Sequence, residues 1–230
     1  MSDNIFQFGR IAPMSMDPVW RNIYTIQYSE NLFDDLVSPG REKILYSLDH
    51  ATSAIDHSVP GKYRVFQYGD ANETIACFDP KYYAESRFSR GNFGVFYGAM
   101  DEKTSVAEIM AMHQRRFETN MAAAAEPVII DRKMFNCKLI GTRCTDIRPL
   151  IEVYPDIIAD RHEFCHIIGD EARALSLDFL VTESVRRPSG LCVAAFNADC
   201  VVGEKFQYFF QLVYTKDGQP EANKITRIEL

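Results

Sequence analysis

The stretch Phe93-Gly94-Val95-Phe96-Tyr97-Gly98-Ala99-Met100 is an unbroken apolar run that passes, with no linker, into Asp101 and a helical pattern. An apolar run of this kind, rich in aromatics, reads as a buried strand. Asp101 or Thr104 supplies an N-cap, and Val106, Ile109, Met110, His113 and Phe117 recur at helical spacing on one face. This joint constrains the chain more than any other feature, because strand and helix share no slack. Just upstream, the Arg87-Phe88 turn leads into a loop broken by Gly91 and Gly94. One strand-to-helix junction therefore gathers a cation (Arg87), an aromatic ring (Tyr97) and a carboxylate (Glu108) in the second helical turn. That set suits a ligand that carries phosphate and sugar.

The remaining segments mix both periodicities. Residues 1–18 read as a loose arm with Pro13 and Pro18, and residues 19–230 as a single domain. A short strand is expected at 23–27. Ser38-Pro39-Gly40 opens a helix over 41–55, with Ile44, Leu45, Leu48, Ala51 and Ile55 inward. Strands are expected at 128–130, 137–141, 179–182, 191–196 and 206–214, and a helix at 156–177. Lys216-Asp217-Gly218 signals a turn, with 225–230 returning as a hairpin partner. Several strands with three helices, no regular βαβ alternation and no GxGxxG give an α+β class with a mixed sheet, not a Rossmann domain.

The chain of 230 residues is 47% hydrophobic, enough to fill a core, and its net charge of −7 argues against a general nucleic-acid or anionic-membrane binder. An anionic ligand would need a local arginine cluster. No apolar run approaches the roughly 20 residues of a membrane span, and Met1-Ser2-Asp3-Asn4 does not open a signal peptide. Six cysteines without a CxxC read as reduced thiols of a cytoplasmic protein.

Each candidate site residue has a plain structural reading beside its functional one. The Arg87 guanidinium is a planar fork that fits a phosphate; otherwise it pairs with Glu85 or Asp101. Glu108 lies roughly 200° around the helix from Val106, which makes it either a solvated residue or a carboxylate facing a cleft. A carboxylate there can stabilise a sugar that becomes cationic as its glycosidic bond breaks. Tyr97 is either a core tyrosine or a pocket wall. Ser189, in Arg186-Arg187-Pro188-Ser189-Gly190, is either a turn residue or a ribose or phosphate ligand. No GxSxG surrounds it. A competing motif is His162-Glu163-Phe164-Cys165-His166, which matches the HExxH zinc pattern, with Asp170, Glu171 and Glu183 as loosely placed third ligands. His50, His57 and His113 read as packing or solvated residues.

Ser86-Arg87-Phe88-Ser89, Gly94-Val95-Phe96-Tyr97 and Thr104-Ser105-Val106-Ala107-Glu108 with His113 resemble the signature of the RES-domain family, named for its Arg, Glu and Ser. Gly169-Asp170-Glu171-Ala172-Arg173, Leu180-Val181 and Arg187-Pro188-Ser189-Gly190 resemble its second block. With Trp20-Arg21-Asn22-Ile23-Tyr24 and the helix at 41–55, the resemblance runs from about residue 18 to the end. It implies an ADP-ribosyltransferase-like β core with flanking helices. It also implies a toxin of a toxin–antitoxin module that consumes NAD⁺ at the nicotinamide–ribose bond, by hydrolysis, phosphorolysis or ADP-ribosyl transfer. NAD⁺ would be substrate, with no metal. The implied partner is an Xre-type antitoxin, through which nucleic acid would be met only indirectly; no membrane is implied, and a homodimer is left open. The resemblance assigns Glu108 to catalysis, Arg87 to the phosphates or ribose, Tyr97 to the pocket wall and Ser189 to ligand orientation. Phe88, Ser89 and Arg21 join the ligand-binding set. Many members carry an arginine near where this chain has Thr25; Arg21 and Arg64 are the substitutes on offer.

Overall fold

The computed structural model describes residues 7–24, 71–118, 128–215 and 220–225. The helix expected at 41–55, and Thr25, His50, His57 and Arg64, lie outside these residues.

The first strand, β1, runs Ala12–Tyr24 and so begins well ahead of the strand expected at 23–27. Its prolines do not break it because both fall where its pairing with a later strand slips register, between Ala12 and Met14 and between Met16 and Val19. A proline costs a ladder no hydrogen bond at such an irregularity. A 3-10 helix follows at Ala71–Phe78, then the hairpin β2 (Glu85–Ser86) and β3 (Ser89–Arg90). The apolar run supplies β4 (Phe96–Ala99), and the helix α1 spans Glu102–Glu118 as its pattern predicts.

The next strand is one element where two were expected. β5 runs unbroken over Val128–Asp146, through the polar Asp131-Arg132-Lys133. The interruption is tolerated because its side chains find partners. Arg132 donates to Asn22 Oδ1 at 2.7 Å and to the Asn22 carbonyl at 3.1 Å, and Gln211 Nε2 donates to Asp131 Oδ1 at 3.0 Å. The helix expected over 156–177 is two pieces: a 3-10 turn at Pro155–Ile158, and α2 at Glu163–Ala174. Ala159 turns extended between them. α2 ends where Ser176 takes φ 52° and the Leu177 N–H reaches the Ala172 carbonyl, a Schellman closure. β6 (Phe179–Glu183), β7 (Leu191–Ala195) and β8 (Val201–Tyr214) follow. β9 is Glu221–Lys224, earlier than the return expected from 225.

The seven-stranded sheet has the order β1-β4-β7-β6-β5-β8-β9, and β1 also pairs with β5. β1, β4, β7, β6 and β5 therefore close a circuit with an inside and an outside. The fold is α+β with a mixed sheet, as expected; β5 and β6 run parallel and the other pairs antiparallel. Side chains alternate across a strand, so Val19, Phe96, Leu139, Val181, Val193 and Ala195 fill the inside. Their neighbours Tyr97, Leu180 and Ala194 point outward and pack with Phe88 and Ile168 beneath α2. α1 covers a second outer patch through Val106, Ile109 and Met110, against Ile130, Met134 and Leu212. Among the described residues no helix is long and apolar enough to cross a membrane.

α2 sits hard against the β2–β3 hairpin at Gly169, where an added Cβ would fall 1.8 Å from the Phe88 carbonyl oxygen. Backbone against backbone cannot yield by a rotamer change, so Gly169→Ala should destabilise the fold by about 1–3 kcal/mol in urea unfolding. Unchanged stability would mean the hairpin is not clamped there.

Four carboxyls are held below their ordinary values. For Glu102 the causes are hydrogen bonds from Lys224 and then Tyr208. For Asp101, Asp146 and Asp178, burial pushes upward and is outweighed by hydrogen bonds from Thr104, Arg148 and Asn197 respectively, with backbone N–H groups helping. A depressed folded value means the unfolded chain takes up protons first. The stabilisation is thus complete above the ordinary carboxyl range near pH 4 and is lost as pH falls below it. The urea midpoint should drop between pH 4 and pH 3, and Glu102→Gln should shrink that drop.

Candidate active site

The hairpin turn between β2 and β3 presents Arg87 because its neighbour is anchored the other way. Phe88 is 1% exposed in the outer core beneath α2, and a buried phenyl of this kind contributes on the order of 2–3 kcal/mol. The Phe88 N–H donates to the Tyr97 hydroxyl at 2.9 Å, and that hydroxyl donates to Ser86 Oγ at 2.9 Å. The two rings stack, with centroids 6.4 Å apart. Burial pushes the Tyr97 hydroxyl up to about 12, which keeps it protonated as a donor. Ser89 is fully buried; its hydroxyl donates to the Phe93 carbonyl at 2.7 Å and accepts the Gly91 N–H at 3.1 Å.

Arg87 is not paired with Glu85 or Asp101 in this arrangement. Its Nη1 donates to the Ala159 carbonyl at 2.8 Å and the Ile157 carbonyl at 3.3 Å, with Cys165 Sγ at 3.8 Å. Asp101 instead caps α1 through the Thr104 N–H at 2.9 Å and takes Arg187 Nη1 on both carboxylate oxygens, at 3.0 and 2.9 Å.

Glu108 points off α1 toward the outer faces of β6 and β7. Its Oε1 accepts the Ser184 hydroxyl at 2.5 Å and the Arg186 N–H at 3.3 Å, and the Cys192 thiol lies 3.9 Å away. Ser184 Oγ in turn accepts the N–H groups of Arg186 and Arg187 at 3.2 and 3.0 Å, so its hydroxyl has one donor and two acceptors in use. The turn from 184 to 190 is closed by Ser184 N–H to the Gly190 carbonyl and Gly190 N–H to the Arg187 carbonyl. Arg186 Nη2 meets Asp160 Oδ1 at 2.7 Å. Burial first, and then the Glu108 carboxylate, push the Cys192 thiol up to about 12, while Ser184 and Arg87 pull it down. One sulfur thus sits within the fields of both Glu108 and Arg87.

The expected residues divide by place. Tyr97 and Glu108 lie on the outer side of β4, β7 and β6, and Arg87, on the hairpin, acts on both Tyr97 and Cys192 there. Phe88 and Ser89 stand behind them as anchors, with their side chains committed to the fold. Ser189 lies exposed near the end of the turn with φ 62°; the serine against Glu108 is Ser184. Sequence reading passed over Ser184, although it continues the outward alternation of Leu180 and Thr182 directly past the end of β6. Arg21 lies on the other side of the sheet. Its guanidinium stacks over the Phe96 ring at 4.5 Å, and its Nη1 donates to the Tyr97 carbonyl at 2.8 Å. Gly94 lets the chain itself approach closely: a Cβ there would meet the Cys77 carbonyl oxygen at 1.9 Å.

The zinc reading meets a direct obstacle. His166 Nε2 lies 2.9 Å from the Ser86 carbonyl oxygen; a carbonyl only accepts, so this nitrogen carries the proton and cannot ligate a metal. His162 precedes α2 instead of lying one turn inside it. Among the described residues no three His, Cys, Asp or Glu side chains gather as a metal site.

A carboxylate oriented by a hydroxyl and a backbone N–H, beside a tyrosine and an arginine, can stabilise a developing positive charge.

A family model described as the RES domain matches residues 62–211, a stretch that contains Arg64 and leaves Arg21 outside. No curated protein matches the chain. Among solved structures, the crystal structure of the M. tuberculosis MbcT–MbcA toxin–antitoxin complex is similar at 10% identity and a TM-score of 0.48, covering 88% of this chain and 86% of that one.

Removing the Tyr97 hydroxyl should strand the Phe88 N–H in an apolar setting. Tyr97→Phe is expected to cost about 1–3 kcal/mol in urea unfolding, whereas Ser189→Ala, on an exposed turn, should leave stability within about 0.5 kcal/mol.

Proposed function

The chain belongs to the RES-domain family, and we propose that it is the toxin of a toxin–antitoxin module and cleaves NAD⁺ at the nicotinamide–ribose bond. The observation that carries the reading is the Glu108 carboxylate, held at 2.5 Å by Ser184 on the face shared with Tyr97 and Arg87. The activity and the substrate come from the family resemblance; the residue geometry is compatible with that chemistry.

In this reading nicotinamide departs and leaves positive charge on the ribose, which the Glu108 carboxylate stabilises without moving a proton. Orientation matters more than acid–base chemistry here, and a preorganised charge lowers such a barrier more than any other device these residues offer. Ser184 and the Arg186 N–H hold Glu108 in place. Arg87 binds the anionic part of the substrate through a planar fork. As the bond to nicotinamide breaks, water, phosphate or a protein side chain bonds to the ribosyl carbon, and the acceptor's proton, where it carries one, passes to solvent. The partner proposed is an Xre-type antitoxin that occludes this face.

The test is NAD⁺ consumption by purified protein, with and without phosphate, resolving nicotinamide from the ADP-ribosyl product. Free ADP-ribose names water as acceptor, its phosphorylated form names phosphate, and label retained on protein names a transferase. Glu108→Gln should lower turnover by about 10²-fold or more. Ser184→Ala should cost roughly tenfold to a hundredfold, and Ser189→Ala much less. Intact NAD⁺ under every condition, or full turnover by Glu108→Gln, would overturn the reading.

A further inference from the structure

Two arginines flank the Glu108 region, and one short strap satisfies both. Arg87 Nη1 donates to the Ala159 carbonyl at 2.8 Å. Arg186 Nη2 meets the Asp160 carboxylate at 2.7 Å. Ala159 and Asp160 are consecutive, and their Cα atoms are thus about 3.8 Å apart, so the two guanidiniums converge on one spot of chain. They do so at the rim of the site, since the Arg186 N–H is itself hydrogen-bonded to Glu108 Oε1 at 3.3 Å. Arg186 is the more enclosed partner of its ion pair: its side chain is 21% exposed and that of Asp160 is 64% exposed.

We propose that Arg186 is the second anion-binding arginine of the site, and that Asp160 occupies in cis the place of a substrate phosphate. The inference rests on the NAD⁺ reading above. It also fills the second anionic contact from the residues at hand, since Arg21 lies on the opposite side of the sheet, stacked on Phe96 at 4.5 Å. Arg87 and Arg186 form a two-armed clamp for a diphosphate. In the free protein the clamp closes on the strap at 157–160: carbonyl oxygens stand in for one phosphate and the Asp160 carboxylate for the other. Ligand binding then exchanges these internal acceptors for phosphate oxygens. An exposed ion pair is weakly held, so the exchange costs little and the arginines stay oriented until it occurs. The strap thereby selects for ligands with enough negative charge to displace a carboxylate. A nucleoside without phosphates gains nothing from the exchange.

The experiment measures binding of ADP-ribose and of adenosine to the full chain by calorimetry, for the wild type, Asp160→Asn, Arg186→Gln and the double variant. NAD⁺ turnover of the wild type is followed in parallel. Asp160→Asn should tighten ADP-ribose about two- to fivefold and leave adenosine unchanged. Arg186→Gln should weaken ADP-ribose roughly tenfold or more, and Asp160→Asn should have no effect in its presence. If ADP-ribose binds and NAD⁺ is consumed but neither substitution alters affinity, the clamp is wrong and the NAD⁺ reading survives. Equal tightening of adenosine by Asp160→Asn would make the strap a steric cover and overturn the role of Arg186. A wild type that neither binds ADP-ribose nor consumes NAD⁺ would overturn the function and the clamp together.

Discussion

Closure of the strand circuit is the constraint from which the site follows. β1 pairs with β4 at Trp20–Ala99 and with β5 along most of its length, so five strands have one inside and one outside. Simple alternation then sorts every side chain. Phe96 and Val193 go in, and Tyr97 and Cys192 go out. The inside is filled mostly by apolar side chains, with the Arg21 guanidinium laid over the Phe96 ring. The outside is covered in two places by two helices, and the hairpin, the 157–160 strap and the 184–190 turn meet at the same face. Polar groups that a core would reject collect there and satisfy one another.

What could be read from the residues alone was what is local. The strand-to-helix junction, the Asp101 cap and the outward placement of Glu108 all follow from spacing within a few turns, and each is found in place. Contacts made across the chain were not legible. Nothing near residue 132 says that its guanidinium will bond to Asn22, 110 positions away, yet that contact lets β5 run straight through a polar triplet. Arg21 looks equivalent to any other arginine near the site until closure sends it to the inner side of the sheet. Ser184 and Ser189 sit in one turn of the sequence, and only the fold, which brings residues 76 positions apart together, shows which of them reaches Glu108. The obstacle to the HExxH reading is of the same kind: the acceptor at His166 Nε2 is the Ser86 carbonyl, 80 positions away in the chain.

Three arginines near Glu108 show how a chain with a net charge of −7 can still gather positive charge locally. Arg87 is held by carbonyls, Arg186 by Asp160 and Arg187 by Asp101. None depends on a global field, which would repel an anion here. Each is fixed in direction by an acceptor from the chain itself, which lowers the entropy lost when a ligand takes over. Arg187 differs from the other two. Its Nη1 takes both oxygens of Asp101 and also donates to Thr104 Oγ1 at 2.8 Å, beneath the start of α1. It therefore fastens the turn to the helix, which leaves the proposed clamp to Arg87 and Arg186.

The groups around Glu108 show a complementary choice. An arginine or lysine laid directly against it would orient the carboxylate but cancel the charge that the proposed reaction would draw on. The chain uses a hydroxyl and a backbone N–H instead, which fix direction and leave the net charge in place. The nearest remaining neighbour is Cys192, whose thiol is pushed up to about 12 by burial and by Glu108 itself. It stays neutral, so it adds no second anion to repel the first. Among the described residues no cation pairs with this carboxylate, and the thiol beside it is kept protonated, an arrangement that would suit the charge stabilisation proposed for Glu108. Arg87 and Arg186 reach to the strap at 157–160 instead, so that on the proposed reading an anionic group would be bound there without quenching Glu108.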